Sequence, residues 1–150
     1  YDIMMKAKKD ENINYYYTNR HAVYLLQYHL VVVTKYRHKV INNELKDRLI
    51  EISYSIIESD WKSKIISINT DEDYIHILFE TSPQTQLSKL INNYKTVTSR
   101  LIRKEFSKQL EQYYWKTYFW SDTYFISSVS DTSEAMIKRY IEKQGIRKLD

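Results

Sequence analysis

The ten residues Asp71-Glu72-Asp73-Tyr74-Ile75-His76-Ile77-Leu78-Phe79-Glu80 begin with three acids and continue with a period-two pattern. Consecutive side chains of a strand point to opposite faces. Ile75, Ile77 and Phe79 therefore share an apolar face, and Tyr74, His76, Leu78 and Glu80 share the other, with a histidine at its centre. A single strand histidine is ordinarily a half-buried, hydrogen-bonded residue; other donors facing it would make it a candidate metal ligand.

The pattern extends outward from this strand. Upstream, Trp61 to Thr70 alternates around Ile66 and Ile68, and the short acidic connection predicts an antiparallel hairpin. The run from Ala22 to Val33 is β-branched and aromatic, as a central strand buried on both faces should be. It leads into Lys35-Tyr36-Arg37-His38-Lys39, which reads either as a solvated loop or as a contact to phosphate and a base. Behind Asn42 or Asn43, the helical spacing of Leu45, Leu49, Ile52 and Ile56 predicts a helix to about Ser59.

After Pro83 a second helix is expected from near Thr85, with Leu87, Leu90, Ile91, Tyr94, Val97 and Leu101 on one face and Lys89, Arg100, Arg103 and Lys104 elsewhere. Residues 113–125 form a dense aromatic block, suited to a core or subunit contact or to stacking bases, and Ile126 to Val129 follows as a strand. Asp131 and Glu134 have capping-box spacing, opening a last helix that carries Ile137, Tyr140, Ile141 and Gln144 on one face and stops at Gly145. The order predicts an α+β fold: a ferredoxin-like βαββαβ antiparallel sheet with helices on one face, plus a C-terminal helix carrying Tyr140. Residues 1–20 show no period and are expected to form a mobile arm ahead of a single domain, 21–150.

Composition narrows the chemistry. A chain of 150 residues suits one core. One glycine and one proline rule out a Gly-rich phosphate loop, and the absence of cysteine leaves only nitrogen and oxygen to hold a metal. Lys and Arg number 23 against 19 Asp and Glu, a net charge of +4 that permits an anionic partner. Fifteen tyrosines supply flat faces for unpaired bases. Apolar runs fall well short of the roughly 20 residues that span a bilayer, so a soluble cytoplasmic protein with no membrane partner is expected.

Several stretches together are more specific. Tyr28-His29-Leu30-Val31 followed by Lys35-Tyr36-Arg37, the Asp73-to-Leu78 strand, Phe119-Trp120-Ser121 with Tyr124-Phe125, and Arg139 to Gln144 run in one order from about Ala22 to Ile146. In this the chain resembles the single-tyrosine transposases of small bacterial insertion sequences, members of the His-hydrophobic-His endonuclease superfamily. The resemblance implies nicking and rejoining of single-stranded DNA at hairpin ends through a 5′-phosphotyrosine link. It implies Tyr140 as nucleophile, His76 and Gln144 as ligands of Mg²⁺ or Mn²⁺, and a homodimer in which each helix tyrosine often serves its partner's site. Lys35, Tyr36, Arg37, Arg100 and Arg103 are the candidate DNA contacts.

Two positions depart from the family. Tyr74 stands where the family has its first histidine, and a neutral phenol is a poorer ligand than imidazole. Tyr74 as a weak ligand, water or an acid in its place, and a site that no longer cuts all remain open. Ser130-Asp131 replaces paired glycines before the last helix, which predicts a stiffer connection. The alternative function is a catalytically impaired protein of the same fold that binds single-stranded or hairpin DNA. A general RNA-binding domain fits less well, because its expected central-strand aromatics are not evident.

Overall fold

A computed structural model describes residues 7–8, 16–18, 22–129 and 134–144. Three short strands come first: β1 (Ala7–Lys8), β2 (Tyr16–Thr18) and β3 (Val23–Tyr24), which form a small antiparallel sheet in the order β1-β2-β3. Two of them fall in the segment expected to be an arm. Tyr17 stacks on Tyr24 at 5.8 Å and donates a hydrogen bond to Glu80, which also accepts one from Gln27 at 2.8 Å.

The main sheet then begins with β4 (Leu26–Val33), followed by α1 (Asn43–Tyr54), β5 (Lys64–Asp71), β6 (Tyr74–Thr81), α2 (Leu87–Glu105), the short α3 (Ser107–Glu111), β7 (Phe125–Ser128) and α4 (Glu134–Gln144). All pairings are antiparallel, in the order β5-β6-β4-β7, which is the expected ferredoxin-like arrangement. The expected capping box has one member, Asp131, outside the described residues, as are Ser130, Gly145 and Ile146. Among the described residues no helix is long and apolar enough to cross a membrane.

The sheet has two unlike faces. Leu30 and Val32 of β4 and Ile75, Ile77 and Phe79 of β6 face α1 and α2 and join Leu45, Leu49, Leu90, Ile91 and Tyr94 in the main core. On the other face Val31 and Val33 cluster with Ile137 and Ile141 of α4, with Tyr74, Phe125 and Tyr140 at the margin. Helices α1 and α2 thus share one side, and α4 covers the opposite one.

Two local differences have clear causes. The alternation in β5 was expected around Ile66 and Ile68, but Ile65 is the buried residue and Ile66 is 41% exposed. A register shift between Ile65 and Ser67 explains this: Ile65 pairs with Phe79 and Ser67 with Leu78, leaving Ile66 as the extra residue of a bulge. The first helix was expected to about Ser59, but α1 gives way to π-helical turns at Ser55–Asp60. Asn42 occupies the N-cap without a side-chain cap bond; its side chain instead accepts a hydrogen bond from Gln109 at 3.1 Å.

Candidate functional site

The face of the sheet under α4 carries the candidate chemistry. On β6, Tyr74, His76 and Leu78 lie opposite Val33, Val31 and His29 of β4. His29 and His76 are therefore diagonal neighbours on one face, and this brings Nδ1 of His29 to 2.8 Å from Nε2 of His76, with ring centroids 5.0 Å apart. Burial pushes the His29 pKa down, and burial followed by the charge of His29 pushes His76 down. Both rings are held neutral, the form that can donate a lone pair to a metal.

His29 lies in one of the stretches that carry the family resemblance, but sequence reasoning assigned it no role in the site. It was hidden in a run that reads as uniformly buried, and only the strand register places it beside His76. The signal was its parity: His29, Val31 and Val33 alternate with Leu30 and Val32.

Tyr74 lies on the other side of His76 along the strand, against the Val31, Val33, Ile137 and Ile141 cluster. Burial first, then Asp71 and Asp73, push its pKa up, so the phenol stays protonated and is weakened as a ligand.

Helix α4 brings Tyr140 and Gln144 together, as their four-residue spacing requires. Thr123 joins them: its hydroxyl donates to Gln144 Oε1 at 2.9 Å and lies 3.0 Å from the Tyr140 hydroxyl. A threonine hydroxyl has one proton, so with that proton on Gln144 the Tyr140 O–H is the donor in the second bond. Burial raises the Tyr140 pKa, with bonding to Thr123 and Ser121 acting in the opposite direction. Its ring packs on Phe125 at 5.5 Å.

The two halves share a face without meeting. Phe125 is opposite Val31 across the β4–β7 pairing, so β4 lies between His76 of β6 and the Phe125 ring on which Tyr140 packs. Val31 and Val33 of β4 pack on Ile137 and Ile141 of α4 here, with Tyr74 and Tyr140 both at the margin of that cluster. Among the described residues no hydrogen bond joins Tyr140 or Gln144 to His76, and no group of three or more His, Cys, Asp or Glu is assembled to hold a metal ion.

The candidate DNA contacts are placed as follows. The Lys35-Tyr36-Arg37 turn has left-handed backbone at Tyr36 (φ 59°) and Arg37 (φ 53°), an uncommon state for residues with a Cβ. Surrounding contacts hold it: Tyr114 donates to the Lys35 carbonyl at 2.7 Å, Lys35 N–H bonds Phe119 O at 2.8 Å, and Arg37 Nε bonds Asp73 Oδ2 at 2.8 Å. Lys35 reaches Asp122 at 3.2 Å and lies over the rings of Tyr36 and Tyr118.

Arg100 is exposed on α2, while Arg103 bonds Ser99 at 3.1 Å and lines an open groove of about 400 Å³ with Lys95, Tyr118 and Asp122. Lys95 donates to Ser121 O at 2.9 Å, and burial pushes its pKa down. The aromatic block divides: Tyr114, Phe119 and Trp120 enter the core, whereas Trp115 is 80% exposed with Lys116 over its ring.

A ferredoxin-like sheet with strand imidazoles and a tyrosine on the C-terminal helix corresponds to the resemblance in the sequence. The chain belongs to the IS200-like transposase family, whose pattern matches residues 22–144. It is 31% identical over 125 residues to the ISDra2 transposase TnpA of Deinococcus radiodurans, covering 83% of this chain and 88% of that protein. It is 27% identical over 125 residues to the transposase for insertion sequence element IS200 of Salmonella typhimurium, covering 83% and 80%. A crystal structure described as that of a transposase from Deinococcus radiodurans R1 superposes with a TM-score of 0.79 at 31% identity, over 87% of this chain and 98% of that one. A REP-associated tyrosine transposase bound to a REP hairpin shares the fold at a TM-score of 0.51 and 7% identity, over 83% and 69%.

Proposed function

We propose that this protein nicks and rejoins single-stranded DNA at insertion-sequence ends, with Tyr140 as nucleophile. The observation that carries the reading is the pairing of Tyr140 and Gln144 at Thr123, on the same sheet face as His76. In the first step the Tyr140 oxygen attacks a backbone phosphorus. A 5′-phosphotyrosine bond forms, the bond to the 3′-oxygen breaks, and that oxygen leaves with a proton, ending as a free 3′-hydroxyl. Rejoining reverses the exchange with a second 3′-hydroxyl, so the ester is conserved. Burial keeps Tyr140 protonated before the reaction, so its proton must leave as the bond forms, and Thr123 orients the phenol by accepting its hydrogen bond.

His76 and Gln144 would hold a divalent Mg²⁺ or Mn²⁺. The donor set fits Mn²⁺ better than Mg²⁺: the Gln144 amide oxygen suits either hard cation, whereas a neutral imidazole nitrogen is the softer donor. When bound, the ion supplies Lewis-acid polarisation of the phosphate. Because no hydrogen bond among the described residues joins His76 to Tyr140 or Gln144, the complete site in this reading joins the His76 face of one copy to the Tyr140 helix of another, in a homodimer. DNA hairpin ends are the proposed partner, with Lys35, Arg100 and Arg103 as phosphate contacts and Tyr36 as a base contact.

Incubation with a labelled single-stranded element end and Mn²⁺ is expected to give a covalent protein–DNA adduct that is lost in Tyr140→Phe. Absence of adduct with either metal overturns the reading. A second reading, hairpin binding without cleavage, is favoured by Tyr74, whose protonated phenol replaces an imidazole. Tyr74→His separates the two: a large gain in metal-dependent cleavage supports the impaired site, and no change supports a working native one.

A further inference from the structure

We propose that His29 is a metal-holding residue: with His76 it forms a two-nitrogen seat for the divalent cation, in the role that Tyr74 vacates. This deepens the function proposed above and rests on it.

The strand register creates the seat. His29 pairs with Leu78 and His76 with Val31, so the rings meet diagonally on one face, Nδ1 to Nε2 at 2.8 Å. Two neighbouring ligand atoms each about 2.05 Å from an octahedral cation such as Mg²⁺ lie roughly 2.9 Å apart. The observed 2.8 Å is just short of that span. Without a metal, one ring places its single N–H proton in the gap as an N–H···N bond; to hold a cation that ring would release this proton to solvent and take one on its other nitrogen, so that both facing nitrogens offer lone pairs.

Tyr74 is poorly placed to share this seat. It is four residues from Leu78 along β6, about 13 Å from the rung that holds His29, with His76 between. The His76 nitrogen directed at His29 is Nε2, and Tyr74 packs instead on the apolar seam with α4. Flanking the imidazoles on β5 are Asn69, opposite His76, and Ser67, opposite Leu78, both neutral. Two neutral nitrogens leave the full double charge of the ion for DNA phosphate, and water, phosphate and Gln144 of a second copy would complete its coordination.

The test uses the full chain without DNA. Cadmium serves as an NMR probe on protein labelled at the imidazole nitrogens, and Mn²⁺ affinity is measured by electron paramagnetic resonance. Scalar coupling from cadmium is expected at both His29 Nδ1 and His76 Nε2; coupling at His76 alone overturns the proposal and reduces His29 to a positioning residue. His29→Ala is expected to weaken Mn²⁺ binding about tenfold or more, and Tyr74→Phe to leave it within about twofold. The reverse ranking also overturns the proposal. The coupling is read on the unaltered chain, so it stands even where a variant folds poorly. Tyr140→Phe should bind Mn²⁺ normally while losing the DNA adduct, so failure of the metal seat and failure of the nucleophile assignment give different results.

Discussion

Replacing Arg37 with Gln distinguishes two roles for a residue that sequence alone marks as a phosphate contact. Its Nε lies 2.8 Å from Asp73 Oδ2, with side chains 35% and 9% exposed. The backbone of Asp73 also ties down the preceding turn, its carbonyl accepting Thr34 N–H at 2.9 Å and Thr34 Oγ1 at 3.2 Å. A fully exposed pair contributes about 0–1 kcal/mol, and breaking a buried one costs about 3–5 kcal/mol. With one partner nearly buried and the other one-third exposed, Arg37→Gln should cost about 2 kcal/mol. Asp73→Asn in the same background should recover part of this, because it removes the stranded charge; a urea double-mutant cycle is expected to show coupling of about 1–2 kcal/mol. Affinity for a labelled single strand, measured against salt, should keep its slope in Arg37→Gln. The reasoning fails if stability changes by less than about 0.5 kcal/mol while the salt slope falls by about 0.7, the signature of one lost phosphate contact.

Other outcomes follow from buried tyrosines. Tyr17, Tyr24, Tyr74, Tyr94, Tyr114 and Tyr140 all have pKa values raised, chiefly by burial. The fold binds their protons more tightly than the unfolded chain does, so stability is intact below about pH 10 and falls as pH rises above it. Near-ultraviolet absorbance should show these phenols ionising together with cooperative unfolding; ionisation in the intact fold near the ordinary value refutes this. Within the core, Tyr94 donates to Ser53, which in turn donates to Leu49 O at 2.7 Å. Ser53→Ala strands a buried phenol and should cost about 1–3 kcal/mol, more than Tyr94→Phe at about 1 kcal/mol, and urea unfolding that gives the opposite ranking refutes the assignment. Tyr17→Phe leaves Glu80 with Gln27 as partner and should lower stability by about 1 kcal/mol in the same assay.

The main sheet was readable because its strands are long enough for a period to show. Ile75, Ile77 and Phe79 fall in the core as their alternation requires, and the spacing of Leu90, Ile91 and Tyr94 puts α2 beneath them. The β5 bulge was not readable, since one inserted residue, Ile66, reverses parity without changing composition. Strands of two or three residues, such as β1 and β3, and the five-residue α3 are too short to carry a period. At the site, the closeness of Tyr140 and Gln144 is a local property of a helix and was legible. The contact of His29 with His76 depends on two strands 47 residues apart adopting one register, which no local pattern encodes.

The bulge in β5 also affects the rim of the sheet. This strand is an outer margin, and a long regular margin offers a row of free amides and carbonyls to any passing chain. The surplus Ile66 interrupts that row near its start, two residues after the charged Lys64, which breaks the continuous register a foreign strand would need there. The kink that turns one isoleucine toward solvent thereby makes this rim a poorer template for an added strand.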